Sequence, residues 1–467
     1  MDVYTVEKDK ELTADTGGRE SSAERRTRLL RQGLKMFLCS LAMWTMGSMY
    51  VYPSVLANDL AAHNTTIYGS FINLTDSQID MTGSLVMLGS TVGPWVVAPL
   101  MMHLGRRACI LGSGSTALLG WLGVALLPNL VGILVARGLS GMAAGGLSLV
   151  ANSYGIELAD PEVRGTMAMM LNLGILLGQV VTVSVGYDAR YFIVALVDMA
   201  IPLALLLSLL HLPESPPYLV LKGREGEARE VLLDLRGRYA DLEGEIQSYK
   251  DLNRTGHSEG TWRDLLRPAV LRDLAVVSTL FILMYFTGYQ VISANTSRLL
   301  KEAGSSIDES LATIIINIVQ VVAAVVASLL MDRLGRRRST MLSYGVMCAS
   351  LGCLAVYLLA AGEQDPRPQG WVPLACLAVT QGAVTVGVNP IPFILSSEYF
   401  PTRIRAWAAG ICYTVGNIAG FLALQLFTPM FEAFTQVGLY AFYSSVCLVG
   451  VPFTYFFVRE TTGAKIG

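Results

Sequence analysis

The chain has 467 residues, 53% of them hydrophobic and 15% charged, with a mean hydropathy of +0.50. That composition excludes an ordinary soluble domain and points to a protein of the bilayer. The net charge of −2 is silent on partners; the expected ones are the lipid bilayer and a small solute, with no nucleic acid.

Residues 1–35 are polar, with Arg25, Arg26, Arg28, Arg31 and Lys35 just before the first apolar run. They read as a cytoplasmic segment ahead of an uncleaved first span, not as a secretory signal. A crossing needs about 20 apolar residues. Spans are expected at 36–57, 81–102, 108–128, 130–155, 167–187 and 191–212, which form a first bundle over 36–212. A second bundle over 273–458 is expected to contain spans 273–295, 310–331, 340–361, 371–397, 407–428 and 437–458. The fold class is therefore an all-α membrane protein of twelve spans in two six-helix halves, with a short tail at 459–467.

Between the halves, 213–272 is rich in charge, as in KGREGEAREVLLDLRGRY at 222–239. Val231, Leu232 and Leu235 recur there at helical spacing, which predicts short amphipathic helices on the cytoplasmic face, with a loose linker as the alternative. Of the 34 lysines and arginines, only Arg190, Arg298, Lys301 and Arg367 fall outside when the N-terminus is placed inside, and Arg137 lies within a span. This bias sets the orientation, with both termini cytoplasmic. The outer loop 58–80 has no basic residue and carries two glycosylation sequons, at Asn64 and Asn73. The seven cysteines show no metal-like spacing and read as packing residues. Gly138, Gly141 and Gly145 stand at the spacing that lets membrane helices approach closely. No phosphate loop, nucleophile triad, metal cluster or cofactor site stands out, so an enzyme is not expected.

The stretch from Gly387 to Arg405, GVNPIPFILSSEYFPTRIR, joins a proline-broken helix to a charged corner. Pro390 and Pro392 free backbone carbonyls, which lipid tolerates only beside protein or a water-filled cavity. The corner has an echo: Glu157 and Arg164 in the first half answer Glu398 and Arg405 in the second. HLGRR at 103–107 likewise answers RLGRRR at 333–338, and Pro213-Glu-Ser answers Arg459-Glu-Thr461. Such repeated halves are a hallmark of transporters with a midplane site at the repeat interface.

From about residue 36 onward the chain resembles the major facilitator superfamily, and within it the sugar-porter branch. The resemblance rests on ARGLSGMAAGG (136–146), PESPPYL (213–219), MDRLGRR (331–337) and NPIPF (389–393). IVQVVAAVVASLLMDRLGRR (318–337) and EYFPTRIR look similar to the arthropod facilitated trehalose transporters. The resemblance implies a gating network of Arg106, Arg107, Glu157, Arg164, Asp332, Arg336, Arg337, Glu398 and Arg405, meeting between the halves when the cytoplasmic side closes. Arg137 matches a family arginine near the outer gate. The implied substrate site comprises Asn172, Tyr285, Gln290, Gln320, Asn389, Phe393 and Asn417.

Departures from the family pattern cluster at that site. Its QQLSGIN reads MYFTGYQ here, so Met284 and Tyr285 replace two glutamines and Gln290 replaces an asparagine. Phe393 and Asn389 stand for a tryptophan and a glycine. Each amide has a plainer reading, since buried amides also pin helices together. Gln179 reads as structural, and so does Asp198, in a peripheral span. The arginines also serve to anchor helix ends at the membrane surface. The leading function is a facilitative sugar carrier for trehalose or a hexose, working without proton coupling. The rivals are a carrier of another polyol or small organic solute, and a transport-poor receptor or sensor on the same fold.

Overall fold

The computed structural model describes residues 22–460 apart from 161–163, 238–239, 257–264, 306, 363–368 and 401–403; the side chains of 22–23, 164–168, 252–256, 328–333 and 406 are likewise outside the description. Helices begin where the chain offers caps. In α2 (Asp76–Leu104), Thr75 and Gln78 exchange side-chain and backbone hydrogen bonds in a capping box. In α4 (Leu130–Leu158), the Asn129 side chain accepts from the Gly132 backbone N at 2.7 Å. Between α2 and α3 (Arg106–Leu126), the single residue Gly105 takes φ 87°, a conformation that favours glycine.

α1 (Ser22–His63) starts well before the expected span. Two of its basic residues are sheltered in pairs, Lys35 with Asp234 and Arg28 with Asp160, while Arg31 reaches Asp234 from an exposed position. α5 (Arg164–Val185), α6 (Tyr191–Asp198) and α7 (Ala200–Ser208) complete the first half. Three short helices follow, α8 (Pro216–Leu221), α9 (Glu225–Arg236) and α10 (Leu242–Gly256), so the loose-linker alternative fails through residue 256. They are fastened to the first half. Arg236 donates to the Leu158 carbonyl at 3.1 Å and to both oxygens of Glu245, and Gln32 donates to the Leu235 carbonyl. Tyr249 donates to Glu245 at 2.6 Å; burial first, then that carboxylate, hold its phenol above the usual value.

The second half comprises α11 (Pro268–Phe286), α12 (Tyr289–Glu302), α13 (Glu309–Leu334), α14 (Arg336–Ala361), α15 (Val372–Val386), α16 (Pro390–Glu398), α17 (Arg405–Gln425) and α18 (Phe427–Phe457). The expected break before Pro390 is present, between α15 and α16. A second break, between α11 and α12 at Gly288 (φ 79°), falls where the sequence reading had one unbroken span.

Among the described residues, ten helical segments are long and apolar enough to cross a membrane, and Met169–Val185 is a shorter apolar helix. α1 is not one of the ten; Ser40, Thr45, Ser48, Tyr50 and Tyr52 dilute its apolar run. Small residues set the closest approaches. A Cβ on Gly47 would lie 1.9 Å from the Ile175 carbonyl oxygen, and one on Gly178 2.2 Å from that of Trp44, so α1 and α5 touch backbone to backbone. One apolar core fills each half. Met87 of α2 crosses into the second core, and Ile314 of α13 packs against the first.

Candidate functional site

The two GRR turns are built alike. A helix start leaves backbone N–H groups without intrahelical partners. At α3, the Glu214 carboxylate accepts from the backbone N of Arg106 at 2.9 Å and of Arg107 at 3.3 Å. At α14, Glu460 accepts from Arg336 at 2.9 Å and from Arg337 at 3.1 Å. The side chains repeat as well. Arg106 pairs with Glu157 at 2.6 Å, and Arg336 with Glu398 at 3.4 Å. Arg107 donates to the Leu209 carbonyl at 2.6 Å, and Arg337 to that of Tyr455. A cleft of about 370 Å³ lies beside the first turn, between Arg107, Glu214 and Tyr218.

In this conformation these pairs lie within the halves; the expected meeting between halves belongs to a closed cytoplasmic side. They are half-buried, at 16%/16% exposure for Arg106 and Glu157 and 18%/13% for Arg336 and Glu398. The side chains of Arg164 and Asp332 lie outside the described residues. Arg405 donates from Nε to the Phe400 carbonyl at 3.2 Å, within its own corner.

In the middle of the second half, Gln320 Nε2 donates to Gln381 Oε1 at 2.9 Å, and Gln381 Nε2 donates to the Tyr289 carbonyl at 2.9 Å. Gln320 Oε1 and Gln290 Nε2 are buried without a hydrogen-bond partner. The Tyr285 ring lies 5.8 Å from that of Tyr289 and fills the space that a side chain on Gly420 would take. Tyr285, Gln290 and Gln320 are thus gathered around the α11–α12 break. Phe393 belongs to a neighbouring aromatic group, 4.9 Å from Phe281 and 5.3 Å from Tyr413, and is 41% exposed. Asn172 is exposed on α5, and Asn389 and Asn417 are half-buried on the second half.

Arg137 is fully buried. It donates to the Thr82 carbonyl at 3.0 Å and the Met49 carbonyl at 2.6 Å, and lies 5.4 Å over the Tyr52 ring. It therefore ties α4 to α1 and α2. Asp198 accepts from the Thr182 hydroxyl at 3.0 and 2.9 Å.

The opposite end of the bundle holds polar contacts that the sequence reading missed. Asn58 donates to Ser297 at 2.8 Å, Ser84 to Gln425 at 3.0 Å, and Arg298 pairs with Asp76 at 3.0 Å. All three run between the halves. Asp80, also missed, contacts Thr428 there. Nothing in a lone Asp76 or Asp80 at a helix start signals a partner in the other half of the chain. Asn64 and Asn73 sit at this end, in the loop joining α1 to α2; Asn73 is exposed and Asn64 half-buried with φ 50°.

The profile of the sugar (and other) transporter family matches residues 34–466. The chain belongs to that family. Similar proteins include the "Facilitated trehalose transporter Tret1" of Aedes aegypti, 30% identical over 93% of this chain and 54% of that protein. The chain spans about half the length of that relative. The Tret1 of Culex quinquefasciatus is 30% identical over 93% of this chain and 84% of its own length. Among solved structures, the partially occluded inward open conformation of the xylose transporter XylE from E. coli superposes with a TM-score of 0.77 at 20% identity, covering 92% of this chain and 98% of that one. Its inward open conformation also gives 0.77, at 19% identity, with coverages of 92% and 97%. At such identity the likeness establishes the fold, which is that of the major facilitator superfamily.

Within this sugar (and other) transporter family member, the departures from the sugar-porter pattern at Met284 and Tyr285 fall in packed surroundings, whereas Phe393 is exposed. Met284 is fully buried in the second core, and Tyr285 is 5% exposed. Gln381 was not singled out from the sequence. The available signal was its amide within an apolar run, two helices on from Gln320.

Proposed function

We propose that the chain is a facilitative sugar carrier that crosses the membrane twelve times and works by alternating access. The single observation that carries the reading is the amide chain from Gln320 through Gln381 to the Tyr289 carbonyl. It leaves one acceptor, Gln320 Oε1, and one donor, Gln290 Nε2, buried and unspent. Buried polar groups without partners are costly, and a hydroxyl-rich solute both donates and accepts. Substrate contacts are assigned to Asn172, Tyr285, Gln290, Gln320, Asn389, Phe393 and Asn417. In this reading the GRR end faces the cytoplasm with both termini and the 213–272 segment, and the Asp76 end faces outward at the plasma membrane. Family membership and the repeated GRR turns support it.

A disaccharide such as trehalose, or a less polar solute, fits better than a hexose, because Met284 and Tyr285 replace two amides. The carrier is read as a uniporter and not as an enzyme. The test is uptake into vesicles containing the purified protein, with a panel of trehalose, glucose and a polyol. Downhill equilibration of one solute is expected. No uptake of any sugar would refute the reading, and accumulation driven by a pH gradient would refute uniport.

A further inference from the structure

Asp80 stands near the start of α2 and is 3% exposed. Its Oδ2 accepts twice from one residue of the other half: from Thr428 Oγ1 at 2.5 Å and from the Thr428 backbone N at 3.2 Å. Thr428 is the second residue of α18. A carboxylate of the first half therefore caps a helix start that belongs to the second. Such a cap is doubly favoured, by the free N–H groups and by the positive end of the helix dipole.

Arg298 completes the arrangement. Its Nη1 donates to Thr428 Oγ1 at 3.2 Å, and its Nη2 pairs with Asp76, one turn before Asp80 on α2, at 3.0 Å. The guanidinium lies 5.4 and 5.2 Å over the rings of Phe427 and Phe431. Thr435, at φ 60°, interrupts α18 beyond these rings, so its first turns form a block distinct from the span.

We infer that Asp80 is a positioning residue of the outer gate, holding that side closed by capping α18 from the opposite half. The inference rests on the alternating-access reading above. Parting the halves on this side breaks both Thr428 bonds and the Arg298–Asp76 pair, and strips α18 of its cap. Contacts present in one state alone bias a two-state equilibrium by their full differential.

The reporter is Ser293→Cys, buried on α12 one turn below Ser297, which meets Asn58 across the halves. Its labelling by a membrane-impermeant maleimide from outside is compared with that of the chain without the reporter. Asp80→Ala is expected to speed labelling about tenfold, as the loss of a good cap implies. Asp80→Asn, which keeps an acceptor for Thr428, falls between, and Thr428→Val serves as a milder second variant. The exchange Asp80→Thr with Thr428→Asp is expected to restore slow labelling. Unchanged labelling in both Asp80→Ala and Thr428→Val overturns the inference, and so does faster labelling that the exchange fails to reverse. Solute uptake in the same vesicles is read separately. A wild-type protein that carries nothing refutes the transport reading, whereas the labelling alone decides the latch.

Discussion

Glu214 and Glu460 hold equivalent posts in the two halves: each accepts the two backbone N–H groups that open the helix after a GRR turn. The glycine before each arginine pair makes room for the carboxylate. A Cβ on Gly105 or Gly335 would lie 2.6 Å from the nearest carboxylate oxygen, and both glycines have positive φ. The GRR turn and the glutamate that follows each half, Glu214 or Glu460, are thus two parts of one joint.

Removing either carboxylate tests that joint. Hydrogen bonds to a charged group contribute about 1.5–3 kcal/mol where they are sheltered, and far less where water competes. Glu214 is half-buried and Glu460 exposed. Glu214→Ala is therefore expected to lower the thermal midpoint of the purified protein more than Glu460→Ala, with Glu214→Gln between the wild type and Glu214→Ala. Equal midpoints in all of them would show that the caps do not stabilise the fold.

Three glycines of α4 are expected to behave differently. A Cβ on Gly141 would lie 2.3 Å from the Val86 carbonyl oxygen and one on Gly145 2.5 Å from that of Ser90, but a Cβ on Gly138 meets nothing within 4 Å. Gly138→Ala removes backbone entropy from the unfolded chain and should be neutral or stabilising by about 0.5–1 kcal/mol. Gly141→Ala forces α2 and α4 apart and should cut the yield of folded protein sharply. Melting curves of the two variants decide the matter, and equal behaviour would contradict this packing.

Much of the fold was legible because hydrophobic runs of membrane length and the GRR echo are local signals. The helices of 216–256 followed from the spacing of Val231, Leu232 and Leu235. Gly288 was harder: a lone glycine in an apolar run does not announce a left-handed break. At the candidate site, Gln290 and Gln320 were found from motif positions, but Gln381 was not, because its importance lies in a partner two helices away. The charged residues of the GRR corners stood out in the sequence as a group, without partners assigned. Sequence spacing shows that Arg106 and Glu157 repeat as Arg336 and Glu398, but not which of the four touch. Asp80 and Thr428 were invisible, since only the folded chain brings α2 against α18.

The outer loop supplies a test of orientation. Asn64 and Asn73 lie at the end of the bundle away from the GRR turns, and Asn73 is exposed. Replacing both with Gln should lower the apparent mass of the protein made in a glycosylating cell. External protease should leave the 213–272 segment intact in whole cells. Cleavage there from outside would reverse the topology.

The last prediction concerns Gln320 and Gln381 as a unit. Gln381 accepts from Gln320 and donates to the Tyr289 carbonyl, so it orients the first amide and holds the α11–α12 break at once. Gln320→Ala removes the unspent acceptor offered to a solute. Gln381→Leu leaves that acceptor in place but takes away what aims it, and leaves the Tyr289 carbonyl without this donor. A buried polar group left unpaired costs about 1–3 kcal/mol, or roughly 5- to 150-fold in an equilibrium. Each single variant should therefore lose most of its uptake while reaching the surface in normal amount. The double variant should lose little more, because residues in one hydrogen-bonded chain do not act additively. Uptake and surface labelling measured side by side check this. Multiplying losses would mean that the two amides act independently, and full uptake in Gln320→Ala would remove the amide chain from the solute's path.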